Sequence, residues 1–149
     1  MEDSRSGKRY ALKELRSSNR SEEKKSRFVS EIQIARDNCT IIPGIIPVID
    51  YSMEDYWYTM PIAQQIMGCV NGMSLDEIIN GVLQLCETLG RLHEKGIHHR
   101  DIKPSNIYYY DGRFSFGDFG LVDFPDNDDF TKSDRGVGAI FTIAPEMKR

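Results

Sequence analysis

The chain has 149 residues, 40% hydrophobic and 28% charged, with a net charge of −4. That balance suits one modest globular domain and excludes a disordered chain, and the acidic surplus gives no electrostatic footprint for nucleic acid. Acids and bases are interspersed, so no membrane patch is indicated, and no apolar run approaches the roughly 18 residues of a spanning helix.

Three scattered cysteines, Cys39, Cys69 and Cys86, form neither a C-x-x-C zinc pair nor a disulfide framework. A reduced, cytoplasmic protein is the expectation.

From the N-terminus, Lys8 to Leu15 alternate, with Tyr10 and Leu12 on one face and Ala11, Lys13 and Leu15 on the other, which predicts a strand. By itself, a lysine among apolar strand neighbours is more commonly an edge or snorkelling residue than a ligand. A helix is predicted to begin near Ser21, with Glu22 and Glu23 in a first turn that favours negative charge. Phe28, Ile32 and Ala35 recur at i, i+4 and i+7, so the helix continues to Arg36 with one apolar stripe, which Glu31 borders.

Ile41 to Tyr51 reads as a short strand entered through proline and glycine breaks, and Trp57 to Pro61 as the next, with Glu54-Asp55 as the hairpin turn. Gln64 to Met73 has no firm period and suggests a short helix or loop. Ser74 with Glu77 three residues later is a capping box, and Val82, Leu85, Cys86, Leu89 and Leu92 then recur at helical spacing, interrupted by Gly81 and Gly90. Lys95-Gly96 supplies a cationic last turn and a glycine to stop this helix.

The helix delivers Ile97-His98-His99-Arg100-Asp101-Ile102-Lys103-Pro104-Ser105-Asn106-Ile107, where polar side chains are enclosed between apolar anchors. That arrangement is costly unless a charged group is handled there. Asp101 can accept a proton from an attacking hydroxyl, Lys103 can neutralise a phosphoryl group in transfer, and Asn106 can offer an amide oxygen to Mg²⁺. His98 and His99 make a poor metal pair, because adjacent side chains in a loop point apart and no third ligand is near.

Ile107 to Tyr110 and Arg113 to Phe116 flank Asp111-Gly112, a two-residue hairpin turn. Asp118-Phe119-Gly120 follows, a strand-end carboxylate with an apolar anchor and a glycine hinge, able to clamp Mg²⁺. Further on, the cluster Asp126, Asp128 and Asp129 lacks the closing glutamate of a calcium loop, and Gly136-Val137-Gly138 follows no strand as a dinucleotide fingerprint would. Thr131 and Ser133 are candidate phosphosites, since Arg100 offers a guanidinium to a phosphate on this stretch.

Taken together, Lys13, Glu31, His99-Arg100-Asp101, Lys103, Asn106, Asp118-Phe119-Gly120 and Ala144-Pro145-Glu146 resemble, in order, the motif set of eukaryotic-type protein kinases. Lys103, two residues after the aspartate, resembles the serine/threonine type. The resemblance implies an α+β, two-lobe fold that uses ATP and Mg²⁺ to phosphorylate a protein substrate. It implies Asp101 and Lys103 as catalytic, and Asn106 and Asp118 as metal ligands. It also implies an ATP site made by Ala11, Lys13 with its partner Glu31, Met60 at the back of the pocket, Ile62 and Ala63 at the adenine-binding hinge, and Tyr108 beneath adenine. A smaller residue is commoner at that last position.

The departures are at the ends. Met1 to Arg9 holds only Gly7 where the family has a glycine-rich phosphate loop, and three residues follow Glu146 where the family continues with helices. The expectation is an incomplete fold, with a partial N-lobe at residues 1–63 and a partial C-lobe at 64–149, and with apolar surface left on the Val82 to Leu92 helix. Two functions are open: a kinase catalytic segment, active within a longer chain or with a complementing one that supplies the rest of the domain, or a non-catalytic remnant that binds a protein partner.

Overall fold

Helix α1 (Glu22–Asn38) starts where the cap predicts: Ser21 is extended, and its Oγ accepts the Lys24 N–H at 3.4 Å. The computed structural model describes residues 8–16, 21–120 and 122. Phe28, Ile32 and Ala35 are buried along α1 as their spacing requires, and Glu31, Ile34 and Asn38 are buried with them. Ile32 has no exposed surface, a burial worth about 1.5–3 kcal/mol for such a side chain.

Before α1 lies β1 (Tyr10–Glu14), shorter at both ends than the alternation suggests. It pairs antiparallel with β3 (Trp57–Pro61), which pairs on its other side with β2 (Asp50–Ser52). The residues between β2 and β3 form the expected tight turn, with Tyr56 at φ +59°.

The strand expected over Ile41 to Tyr51 is corrected to Asp50–Ser52 alone. Pro43 and Pro47 donate no N–H to a ladder, and Gly44 turns at φ +97°, so the chain reaches that sheet only at Ile49, whose N–H donates to Thr59 O at 2.8 Å. Before that it runs beside β6 (Arg113–Phe116): Phe116 N–H donates to Gly44 O at 2.7 Å, and Ile46 N–H to Phe116 O at 3.0 Å.

The unpatterned stretch becomes a two-residue strand, β4 (Gln64–Gln65), a short helix, α2 (Ile66–Cys69), and a 3-10 turn at Val70–Gly72. A second antiparallel sheet has the order β4-β5-β6, with β5 at Ile107–Tyr110. Asp111 and Gly112 both take positive φ at its hairpin turn, as an Asp-Gly pair allows.

Helix α3 (Leu75–Glu94) opens on the reciprocal capping box: Ser74 N–H donates to Glu77 Oε2 at 2.7 Å, and Glu77 N–H to Ser74 Oγ at 3.3 Å. It closes on a Schellman motif, in which Ile97 N–H reaches Leu92 O and Gly96 N–H reaches His93 O. Gly81 is a packing position rather than a flaw in the pattern, since a Cβ there would lie 2.4 Å from the Phe114 ring of β6. Leu85 and Leu92 are buried, whereas Val82 and Cys86 of the predicted stripe are exposed, with Leu75, Ile79 and Leu83. Among the described residues no helix is long and apolar enough to cross a membrane.

One apolar cluster joins Ile34 and Ala35 of α1, Ile42 and Ile45, Leu85 and Leu92 of α3, and Phe114, Phe116 and Phe119. It is the floor on which the polar loop between α3 and β5 is set.

Candidate active site

Three regions converge on Lys13. The β1–β3 register places Tyr58 directly opposite it, and neighbours across antiparallel strands share a face. Lys13 Nζ lies 2.5 Å from Glu31 Oε1 of α1 and 3.1 Å from Asp118 Oδ1, just past β6. Tyr58 donates its hydroxyl to the same Glu31 oxygen at 2.7 Å.

Burial pushes the Glu31 carboxyl above the usual range, against the opposing pull of Lys13 and of the Tyr58 hydroxyl. Burial disfavours the Lys13 ammonium, yet Glu31 and Asp118 together outweigh it and hold the amine above its ordinary value. For Asp118, burial favours protonation, but Lys13 reverses this and lowers its pKa. The result is an ammonium held between carboxylates from separate parts of the chain.

The loop after α3 is shaped by strained backbone and an aromatic seat. Arg100 takes φ +59° and Asp118 φ +62°, left-handed positions that non-glycine residues seldom adopt. His99 is 1% exposed, its ring 5.2 Å from that of Phe116 and 4.9 Å from that of Phe119, while His98 turns outward beside His93. Burial lowers the His99 pKa, so the imidazole serves as a neutral spacer.

On that seat Asp101 is buried, and its Oδ2 accepts from Lys103 Nζ at 2.7 Å and from Asn106 Nδ2 at 2.9 Å. Among the described residues its Oδ1 has no partner, which leaves one carboxylate oxygen to receive a proton. Asn106 also donates to Asp101 O at 3.0 Å, and its own carbonyl accepts from Gly117 N–H at 3.0 Å. That last bond ties the loop to the backbone immediately before Asp118.

The donor set fits Mg²⁺, a hard cation bound by oxygen. Asp118 Oδ1 accepts from Lys13 and, at 3.4 Å, from Gly120 N–H, so Oδ2 is left for a metal. Asn106 spends its Nδ2 on Asp101, and among the described residues its Oδ1 meets only the Ser105 hydroxyl, at 3.4 Å.

Of the remaining predicted residues, Ala11 and Met60 lie in the first sheet, Ile62 and Ala63 follow it, and Tyr108 lies in the second. Ala11 and Met60 are cross-strand partners on the face that carries Lys13 and Tyr58, and Met60 packs against the Phe28, Ile32 and Tyr58 cluster. Ile62 and Ala63 lie between β3 and β4, Ile62 exposed and Ala63 half-buried. Tyr108 of β5 is half-buried against Gly117, where an added Cβ would come within 2.9 Å of its ring. Thr131, Ser133 and Ala144-Pro145-Glu146 lie outside the described residues.

Tyr58 is the participant the sequence did not single out. Its β-strand alternation with Met60 was available, but a tyrosine in an aromatic strand reads as core until the register puts it opposite a lysine.

The protein kinase domain model matches residues 1–148. Among curated relatives, the chain is 35% identical over 86 residues to the eIF-2-alpha kinase GCN2 of Schizosaccharomyces pombe, covering 49% of this chain and 6% of that one. It is 31% identical over 151 residues to serine/threonine-protein kinase PknD of Chlamydia trachomatis, covering 83% and 13%. To serine/threonine-protein kinase PrkC of Bacillus subtilis it is 30% identical over 120 residues, covering 72% and 18%. The chain thus spans a quarter or less of the length of these relatives.

Proposed function

The chain belongs to the protein kinase domain family, and on that premise we propose that it is a catalytic segment that moves the γ-phosphoryl group of ATP to a serine or threonine hydroxyl of a protein. The observation that carries this reading is Lys13 bridging Glu31 and Asp118, at 2.5 and 3.1 Å. It draws α1, β1 and the turn after β6 around one cation, in a place where phosphates could replace carboxylates as partners.

In this reading residues 1–63 and 64–149 contribute to two lobes, with adenine held by Ala11, Met60, Ile62, Ala63 and Tyr108. Lys13 holds phosphate oxygens. Asn106 and Asp118 would hold Mg²⁺, which when bound neutralises charge on the transferring group. Asp101, fixed through Oδ2, orients the acceptor hydroxyl and takes its proton on Oδ1, while Lys103 screens the phosphoryl oxygens. Phosphorylation of Thr131 or Ser133, paired with Arg100, and a cytoplasmic location belong to the same proposal, as does activity only within a longer chain.

The test is Mg²⁺-dependent transfer of labelled phosphate from ATP to a mixed serine/threonine peptide library, with the polypeptide as it occurs in its cells. Transfer that Asp101→Asn abolishes is the expected result. Transfer by neither form would leave the binding-module reading in its place.

A further inference from the structure

We infer that Tyr58 is a positioning residue for the Lys13–Glu31 ion pair: its hydroxyl pins the Glu31 carboxylate, and through it α1, against β1 and β3. This rests on the nucleotide-handling reading above and adds to it a residue which that reading does not use.

The geometry is specific. Tyr58 is 4% exposed, lies directly opposite Lys13 in the β1–β3 ladder, and gives its hydroxyl to Glu31 Oε1 at 2.7 Å, the atom that also receives Lys13. Lys13 Nζ sits 5.8 Å from the centre of the Tyr58 ring, so the lysine is flanked by the ring as well as by the carboxylate. The ring packs on Phe28 of α1 with centroids 5.7 Å apart.

Packing alone does not account for the hydroxyl. Phenylalanine would fill the same space and keep the contact with Phe28, and a buried hydroxyl is unfavourable unless it is paired. Here its partner is a carboxylate that is itself buried, and hydrogen bonds to charged acceptors are the stronger kind.

The consequence appears when Lys13 has something else to hold. With Lys13 as its only donor, Glu31 Oε1 would lose part of its support whenever phosphate oxygens competed for the ammonium. Tyr58 is a donor that no phosphate competes for, because it is enclosed between β3 and α1. Glu31 therefore stays in place and continues to aim Lys13 while the lysine divides its three N–H groups between carboxylate and phosphate.

The experiment measures the affinity of the whole chain for a non-hydrolysable ATP analogue with Mg²⁺, by calorimetry, in the wild type, Tyr58→Phe, Glu31→Ala and the double variant. Tyr58→Phe is expected to weaken binding roughly tenfold, measured well below the thermal midpoints of both proteins, and to lower the midpoint by a few degrees for the lost buried hydrogen bond. In the Glu31→Ala background the same change is expected to have no further effect, since its route of action is gone. If Glu31→Ala does not fold, the single variant decides: lost affinity at a temperature where the variant is fully folded supports the inference, and unchanged affinity overturns it, whatever the midpoint. Equal, independent losses in both backgrounds also overturn it. Absence of binding by the wild type would overturn the nucleotide reading and this inference with it, whereas binding that Tyr58→Phe leaves intact overturns the inference alone.

Discussion

Gly44 approaches α3 so closely that a Cβ on it would lie 2.2 Å from Thr88 Oγ1. The Thr88 hydroxyl faces Pro43 O at 2.9 Å and Gln84 O at 2.8 Å, while Gly44 O accepts Phe116 N–H. One glycine thus seats the segment after α1 against both α3 and β6. Its φ of +97° is a second reason that no side chain is tolerated.

Gly44→Ala is accordingly expected to cost roughly 2–4 kcal/mol, the sum of overpacking and a left-handed backbone. Urea unfolding of the variant beside the wild type measures it. A cost below about 0.5 kcal/mol would show that this segment can lift off α3 without penalty.

Asn106 holds Asp101 twice, through the backbone carbonyl and through Oδ2. Asn106→Ala removes both donors inside a buried loop and is expected to destabilise the fold by about 1–3 kcal/mol. Because it also releases the carboxylate from its fixed orientation, kcat for phosphoryl transfer should fall by roughly 10²-fold or more. Steady-state rates at saturating nucleotide and Mg²⁺ decide this, and an unchanged kcat would mean that Asn106 is needed neither to hold Asp101 nor to bind the metal.

Much of this was legible in the residues. The caps at Ser21 and Ser74, the stop at Gly96 and the turn at Asp111-Gly112 are local chemistry, and each is found where its residue types stand. The order Lys13, Glu31, Asp101, Asn106, Asp118 was legible as a motif set. What was not legible depends on distant partners. The Ile41 to Tyr51 stretch has the composition of a strand, yet Pro43, Gly44 and Pro47 deny it a ladder, and its partner is β6, more than sixty residues away. Val82 and Cys86 keep helical spacing with Leu85 and Leu92 but fall off the buried stripe, because Gly81 and Thr88 take the closest contacts. The role of Tyr58 needed the register of two strands and the tilt of a helix at once.

Asp118 faces Lys13 with Oδ1 at 3.1 Å, and in the proposed reading its other oxygen is a ligand for Mg²⁺. Removing divalent metal with EDTA should therefore weaken ATP binding by the wild type about tenfold or more, since phosphate charge would then face the Asp118 carboxylate unscreened. In Asp118→Asn that repulsion is gone, so EDTA should change the affinity far less. Calorimetric titrations of both proteins with and without Mg²⁺ make the comparison, and an equal metal effect in the two would remove Asp118 from the metal site.

His99 gives a stability effect whose sign follows from its burial between Phe116 and Phe119. Burial lowers its pKa in the folded chain, while the unfolded chain keeps a value near 6.5. Between those two values the unfolded state binds the proton and the folded state does not, so unfolding is favoured as pH falls. The stabilising contribution is complete above about pH 6.5 and is lost as pH drops toward the folded-state value, with a limiting slope of about 1.4 kcal/mol per pH unit for one proton. His99→Leu has nothing to titrate at that position, while His93 and His98 are the same in both proteins. Urea unfolding at pH 5, 6 and 7 should therefore show a shallower acid loss in the variant, whatever its absolute stability. Parallel pH profiles for the two proteins would mean that His99 takes up its proton in the folded chain as readily as in the unfolded one.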